Sequence, residues 1–209
     1  MIKIWGRNTS SNVQKAMWAV GELKLEHQRI DIGGSFGKNK DAPYLAMNPN
    51  GLVPTLEEED GFLLWESNSV VRYLAGKYDK SGVLEPKDPK QRALASQWMD
   101  WQLSVVGPAI FQAFWGLIRT PAEKRDLEAI KTSQDKTTAA MKILDAQLGK
   151  TPYAAGDEFT IGDIPVGIMT YRYWQLVPER PELPNLQRWY AGLQKRAAFR
   201  DHVEAIPLT

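Results

Sequence analysis

Cysteine is absent from this sequence, which removes disulfides, thiolate metal sites and a protein thiol nucleophile together. Any sulfur chemistry has to arrive with a ligand. Histidine is scarce as well: His27 and His202 are the only two. They are expected to lie in different domains, so no HExxH zinc helix and no Ser-His-Asp arrangement can be built from neighbouring residues, and no metal is expected. An excess of charge is missing too. Lys plus Arg number 26 against 25 for Asp plus Glu, so there is neither the basic field that drives sequence-independent binding of nucleic acid nor an acidic tail. A nucleic acid is not an expected partner.

Nowhere do about eighteen apolar residues run uninterrupted. The opening MIKIWGRNTSSN has no long apolar core followed by small residues at a cleavage site. The expectation is a cytoplasmic protein with no membrane partner, and the sequon Asn8-Thr9-Ser10 is then a chance match. Phosphate-loop motifs fail in detail. Around Gly33, Gly34 and Gly37-Lys38, a Walker pattern would need glycine at position 32 and Ser or Thr at position 39, where Ile32 and Asn39 stand.

What is present is a hydrophobic fraction of 43% over 209 residues, enough for a sizeable core in one large or two small domains. Ile2 to Trp5 reads as a short strand. Val13, Ala16, Met17, Val20 and Leu23 then recur at helical spacing, with Ser11 or Asn12 where an N-cap belongs. His27 to Ile32 reads as a second strand, and strand, helix and strand in succession imply a parallel right-handed unit. A short helical segment around Tyr44 to Met47 follows. Two short strands flank Asp60-Gly61, a two-residue hairpin signal, and helical periodicity resumes from Glu66 with Val70, Val71 and Leu74. The order is βαβαββα.

Residues 79–88, DKSGVLEPKD, hold Gly and Pro between helical patterns and read as a linker. This predicts an α/β domain over 1–79 and an all-α domain over 89–209. The second carries two long helices, a third starting near Thr160 and a fourth containing Leu186, Trp189 and Leu193.

Three places in the first domain have chemistry in them. The turn RNTSSN opens a helix whose unpaired N–H groups and partial positive charge favour an anion, and a thiolate would suit it as well as plain capping would. Val53-Pro54 precedes a short strand; proline cannot donate to a ladder and is the residue that takes a cis bond, so the Val53 backbone is placed to pair with an extended peptide. Glu66-Ser67 stands where a strand ends and a helix starts. There a hydroxyl and helix N–H groups would hold a carboxylate while Glu66 pairs with an ammonium group.

The segments SSNVQKAMWAVGEL, NPNGLVPTL and ESNSVVRYLAGKY, in this order and spacing, resemble the glutathione S-transferases. The resemblance covers nearly the whole chain and implies a thioredoxin-like first domain and a helical second one. It implies glutathione as co-substrate, a small hydrophobic electrophile as second substrate, a role in detoxification and a homodimer. By resemblance, Glu66 and Ser67 hold the γ-glutamyl group, Val53 pairs with the peptide backbone, Pro54 is cis and Lys40 meets the glycine carboxylate. The spacing to Lys15 matches serine-type members best at Ser11 as the hydrogen-bond donor to sulfur, with Asn12 and Ser10 as the alternatives. Phe111 and Trp115 are candidates for an apolar wall facing the second substrate between the domains, with Tyr171 or Trp174 approaching from a later helix. Phe159 to Asp163 looks like the family's capping box and staple, Thr160 capping, Asp163 answering and Phe159 packing toward Ile164. Pro165 would remove one helical hydrogen bond. Two rival activities go with the same fold: glutathione-dependent disulfide or peroxide reduction, and a noncatalytic interaction module.

Overall fold

The computed structural model describes residues 1–209. The chain divides into two units, Met1–Ser81 with Ala197–Ile206, and Gly82–Arg196 with Pro207–Thr209.

The first unit is built in βαβαββα order from β1 (Ile2–Trp5), α1 (Ser11–Glu22), β2 (His27–Ile30), α2 (Ala42–Met47), β3 (Thr55–Glu57), β4 (Leu63–Trp65) and α3 (Ser67–Tyr78). The sheet order is β2-β1-β3-β4. β1 runs parallel to β2, the pairing a helical crossover through α1 requires. β3 is antiparallel to both β1 and β4, with Leu56 opposite Ile4 on one side and Leu64 on the other. Period-2 alternation buries Ile2 and Ile4 and leaves Lys3 and Trp5 partly exposed.

Every residue of α1 from Val13 to Val20 is buried, so the helix is covered on all sides, by β1, by α3 and by the C-terminal segment. That segment, α9 (Ala197–Phe199) continued by a π-helical turn over Arg200–Glu204, differs from the expected helical domain running unbroken over 89–209. Residues 197–206 belong instead to the first unit, because Ala198, Phe199 and Val203 need an apolar surface and find it on α1. The rings of Trp18 and Phe199 lie 4.7 Å apart. Gly21 makes the close approach possible, since a Cβ there would sit 2.7 Å from that of Ala198.

Two local expectations are corrected here. The hairpin is not a two-residue turn at Asp60-Gly61. Glu58 N–H donates to Phe62 C=O at 2.9 Å and Gly61 N–H to Glu58 C=O at 3.0 Å, which leaves 59–61 as a three-residue loop with one left-handed residue, Gly61. The N-cap of α1 is Ser10, not Ser11 or Asn12. Its extended backbone ends the preceding turn, and its hydroxyl makes no cap bond.

In the second unit α4 (Pro89–Trp101) and α5 (Gly107–Phe114) are joined by a π-helical turn over Gln102–Val106 and prolonged by another over Trp115–Arg119. Pro108 cannot donate within this run, and the ladder is loosened further by α6 (Leu127–Leu148). The hydroxyl of Ser133 on α6 accepts the Ala113 N–H at 2.9 Å and donates to the Ala109 carbonyl. The 31-residue run Pro89–Arg119 is long and apolar enough to cross a membrane by length and composition, and 22% of its apolar window is buried. Its inward side contributes Trp98, Met99, Val106, Ile110 and Ala113 to the core.

α7 (Asp163–Leu176) starts three residues later than expected, and α8 (Pro184–Leu193) follows it. The box is present in altered form: Thr160 N–H donates to Asp163 Oδ2 at 2.9 Å, while Thr160 Oγ1 accepts the Gly162 N–H at 3.3 Å. Because the helix begins at Asp163, Pro165 falls in the first turn, where N–H groups have no helical acceptor; no hydrogen bond is lost there, contrary to expectation. The ring of Phe159 lies 6.1 Å from that of Tyr153 and 3.7 Å beneath the Arg196 guanidinium.

Candidate active site

The three sequence-predicted places of the first unit converge. The register that sets Thr55 opposite Trp65 carries Val53-Pro54 alongside Glu66-Ser67, and Gly6 joins this edge to α1. A Cβ on Gly6 would lie 3.2 Å from Val53 Cβ and 2.4 Å from Val13 Cγ2, so only glycine fits, with φ at +154°. The N-termini of α1 and α3 meet directly: Ser67 Oγ donates to Asn12 Oδ1 at 3.3 Å. Two helix N-termini at one place favour a bound anion.

At α1, Ser10 is buried and Ser11 half-buried, while Asn12 is exposed. Neither helix has an acidic residue within its first turn, although the residue that caps α3 is itself acidic, Glu66. At α3, Glu66 adopts φ +70°, in the left-handed region that a residue with a Cβ seldom occupies, and its carbonyl accepts the Val70 N–H at 2.9 Å. This conformation leaves the Glu66 carboxylate in solvent beside the buried Ser67.

The Val53–Pro54 peptide bond is cis, and Val53 contributes neither N–H nor C=O to a backbone hydrogen bond. The turn that presents it is braced from below. Tyr44 Oη donates to the Leu52 carbonyl at 2.7 Å and lies 2.9 Å from Thr55 Oγ1, and Asn48 Nδ2 donates to the same carbonyl at 2.9 Å. Burial pushes the Tyr44 phenol above its ordinary 10.0 against the opposing bonds to Thr55 and Asn48, so it stays a neutral donor. Lys40 is exposed and donates to the Asn50 carbonyl at 3.0 Å, which ties it to the same turn. Sequence reasoning missed both braces. The turn signature Asn48-Pro49-Asn50-Gly51 was the available signal. It also passed over Lys15, which is fully buried, with Nζ 3.5 Å from Ser67 Oγ.

The glycine-rich stretch has another explanation than phosphate. Gly33 and Gly34 have φ of +80° and +60°, and a Cβ on Gly34 would lie 2.8 Å from the Arg7 side chain. In the second unit Phe111 and Trp115 are each 52% exposed, and their rings stack at 5.9 Å with an interplanar angle of 20°. Of the expected companions, Tyr171 is buried, and Trp174 is half-buried, packing on Tyr190 at 5.9 Å and under Arg180 at 4.5 Å.

Comparison with known proteins bears on the same residues. The family description "Glutathione S-transferase, N-terminal domain" matches residues 9–77, and "Glutathione S-transferase, C-terminal domain" matches residues 128–192. The chain is 44% identical to glutathione S-transferase GstB of Escherichia coli (strain K12), with all of both chains covered. It is 31% identical to glutathione S-transferase F14 of Arabidopsis thaliana over 94% of this chain and 78% of that one. Among solved structures it is similar to the theta class glutathione S-transferase of Xanthomonas axonopodis pv. citri with glutathione bound. That match has a TM-score of 0.94 and 43% identity, covering 100% of this chain and 99% of the other.

Proposed function

The chain belongs to the glutathione S-transferase family and is a glutathione S-transferase, and from that premise we propose that glutathione lies along the edge where α1, the Val53 turn and α3 meet. The observation that carries the assignment is the Ser67–Asn12 hydrogen bond, which joins two helix N-termini at one place. Glu66 takes the γ-glutamyl ammonium group, and the N–H groups at the start of α3, around Ser67, take its carboxylate. The unpaired backbone of Val53, beside Pro54, pairs with the cysteinyl backbone as an added strand would. Lys40 meets the glycine carboxylate.

The thiol is thereby delivered to the first turn of α1. A free thiol titrates near 8.5, and lowering it by about two units takes roughly 2.7 kcal/mol of preferential binding of the thiolate. A hydroxyl donor and a helix N-terminus are of that order together. Ser11, half-buried at the first helical position, is the donor proposed, with Asn12 and then Ser10 behind it. The thiolate attacks an electrophilic carbon, forming the C–S bond as the leaving group departs with its electron pair.

The second substrate proposed is a small hydrophobic electrophile received at the exposed pair Phe111 and Trp115, in keeping with detoxification. Leu94, Leu103 and Val105 on the same helical run are exposed as well, the kind of surface a second copy covers in a homodimer. Because the chemistry needs reduced glutathione, the proposal places the protein in the cytoplasm.

The test is glutathione binding by calorimetry on the wild type and Glu66→Ala, then titration of the bound thiol in Ser11→Ala and Asn12→Ala. Binding weakened at least tenfold in Glu66→Ala, with a thiol pKa raised by Ser11→Ala, is the expected result. Wild-type affinity in Glu66→Ala would refute the head-group assignment, and an unchanged thiol pKa in Ser11→Ala would move the sulfur contact to Asn12.

A further inference from the structure

Residues 6–10 carry the chain from β1 into α1, and the first of them is the softest. Gly6 has to be glycine, since a Cβ there would meet Val13 Cγ2 at 2.4 Å and Val53 Cβ at 3.2 Å, yet glycine is the residue with the most backbone freedom to lose. The peptide unit that follows it is therefore fixed from outside, and it is gripped at both polar ends. Its carbonyl, on Gly6, accepts Arg29 Nη1 at 3.0 Å, and its N–H, on Arg7, donates to the Ile32 carbonyl at 3.1 Å. The restraint then runs on into the helix: the Arg7 carbonyl accepts the Ser10 N–H at 3.3 Å, and the Ser10 carbonyl accepts the Gln14 N–H at 2.9 Å. Of these four bonds, the one from Arg29 alone comes from a side chain.

The guanidinium is itself aimed. Asp31, two residues further on, accepts Nη1 at Oδ1 and Nη2 at Oδ2, the second at 3.2 Å, a fork-to-fork pairing that sets the planes of both groups. The two side chains are 24% and 36% exposed. An ion pair so open to water adds little to stability, so the consequence of the pair lies in the carbonyl at which it directs a donor.

We propose that Arg29 is a positioning residue of the sulfur site: held by Asp31, it fixes the Gly6–Arg7 peptide and, through it, the place of Ser10 and Ser11 at the start of α1. The inference rests on the reading above that the bound thiolate meets the first turn of α1. Unlike the residues assigned there, Arg29 touches no part of glutathione. Without its grip the turn shifts, while the start of α3 is untouched and the Val53 turn keeps its own braces from Tyr44 and Asn48. Affinity for glutathione and stabilisation of its thiolate are thereby separated.

The experiment compares wild type and Arg29→Met at saturating glutathione. It measures the bound thiol pKa by ultraviolet difference titration, kcat against pH with a hydrophobic aryl halide, KM for glutathione, and hydrogen exchange of the Arg7 and Ser10 amides. In Arg29→Met the thiol pKa rises by about half to one unit, so turnover below it drops roughly three- to tenfold and recovers at higher pH. KM stays within about twofold, and both amides lose protection. A raised thiol pKa with the two amides still protected would mean that the charge of Arg29 acts through space, and it overturns the positioning role. Loosened amides with an unchanged titration would make the contact merely structural, which overturns the proposal as well. If Arg29→Met does not fold, Arg29→Lys takes its place, since it keeps the charge and loses the fork; the same joint change, smaller in size, is expected, and its absence overturns the proposal. Failure of the wild type to bind glutathione would defeat the glutathione reading and this inference together, whereas wild-type binding with a lowered thiol pKa and an unresponsive variant defeats this inference alone.

Discussion

The indole of Trp189 donates its Nε1–H to Asp163 Oδ1 across 2.9 Å, although 26 residues separate the two. The same carboxylate accepts the backbone N–H groups of Ala154 at 3.0 Å and Thr160 at 2.9 Å. One buried aspartate thus ties together the start of α7, the segment before it and α8. Asp163→Ala leaves these donors buried without an acceptor, at about 1–3 kcal/mol each. Denaturant unfolding should show a loss of at least ~3 kcal/mol, with kcat/KM of the remaining folded fraction close to wild type.

Asp163 also makes stability depend on pH. Burial pushes its carboxyl up from 3.8 to about 6, against the opposing hydrogen bonds from Ala154, Thr160 and Trp189. Between those values the folded chain holds a proton that the unfolded chain has released. This contribution therefore falls as pH rises from about 4 to about 6 and is level above that. Melting temperatures across that range should lose this component of their slope in Asp163→Asn.

His202 acts in the opposite direction. Burial holds its imidazole below the ordinary 6.5, and the neighbouring His27 and Arg29 push the same way while Asp201 opposes them. Contrary to the expectation that they lie in different domains, His27 and His202 share the first unit, their rings 6.5 Å apart, because the C-terminal segment packs back on α1. As pH falls below about 6.5 the unfolded chain takes up protons that the folded chain refuses, so this part of the stability is lost on acidification. Hydrogen-exchange protection factors of residues 197–204 should fall between pH 7 and pH 5.5 in the wild type, and His202→Gln should flatten that response.

Glycine-to-alanine changes at Gly21 and Gly192 should have opposite signs. Both are helical, and alanine is ordinarily favoured there by up to about 1 kcal/mol. At Gly192 nothing lies within 4 Å of the added Cβ, whereas at Gly21 it would meet Ala198 Cβ at 2.7 Å and the His202 ring at 3.2 Å. Gly192→Ala should raise the melting temperature by a few degrees, and Gly21→Ala should lower it and deprotect residues 197–204.

Removing one brace should separate positioning from chemistry. Tyr44→Phe deletes the hydroxyl that lies between the Leu52 carbonyl and Thr55 Oγ1, at a cost of about 1 kcal/mol. The Val53 turn loosens with it. Steady-state kinetics should show KM for glutathione rising several-fold with kcat nearly unchanged. A fall in kcat at constant KM would contradict the brace.

Much of the first unit was legible because its signals are local. Alternation at Ile2 and Ile4, helical spacing through α1, proline after Val53, and Glu66-Ser67 at a strand-to-helix junction each depend on residues a few positions apart, and the βαβαββα order follows from them. Errors arose where a local signal had two local solutions: Asp60-Gly61 fits a two-residue or a three-residue loop, and Pro165 is harmful or harmless according to where α7 begins.

By itself, then, the sequence determined the order of elements, the places where an anion or an extended peptide could bind and the absence of any protein thiol, because periodicity, capping and composition act through neighbours in the chain; the assignment of those places to glutathione came from the family resemblance. Only the tertiary structure decided that Ser67 meets Asn12 across 55 residues, that Lys15 is buried behind them, that Trp189 answers Asp163, and that the C-terminal segment covers α1. Those contacts depend on how helices and strands pack, and a residue's spacing along the chain carries no record of what lies across a packed interface.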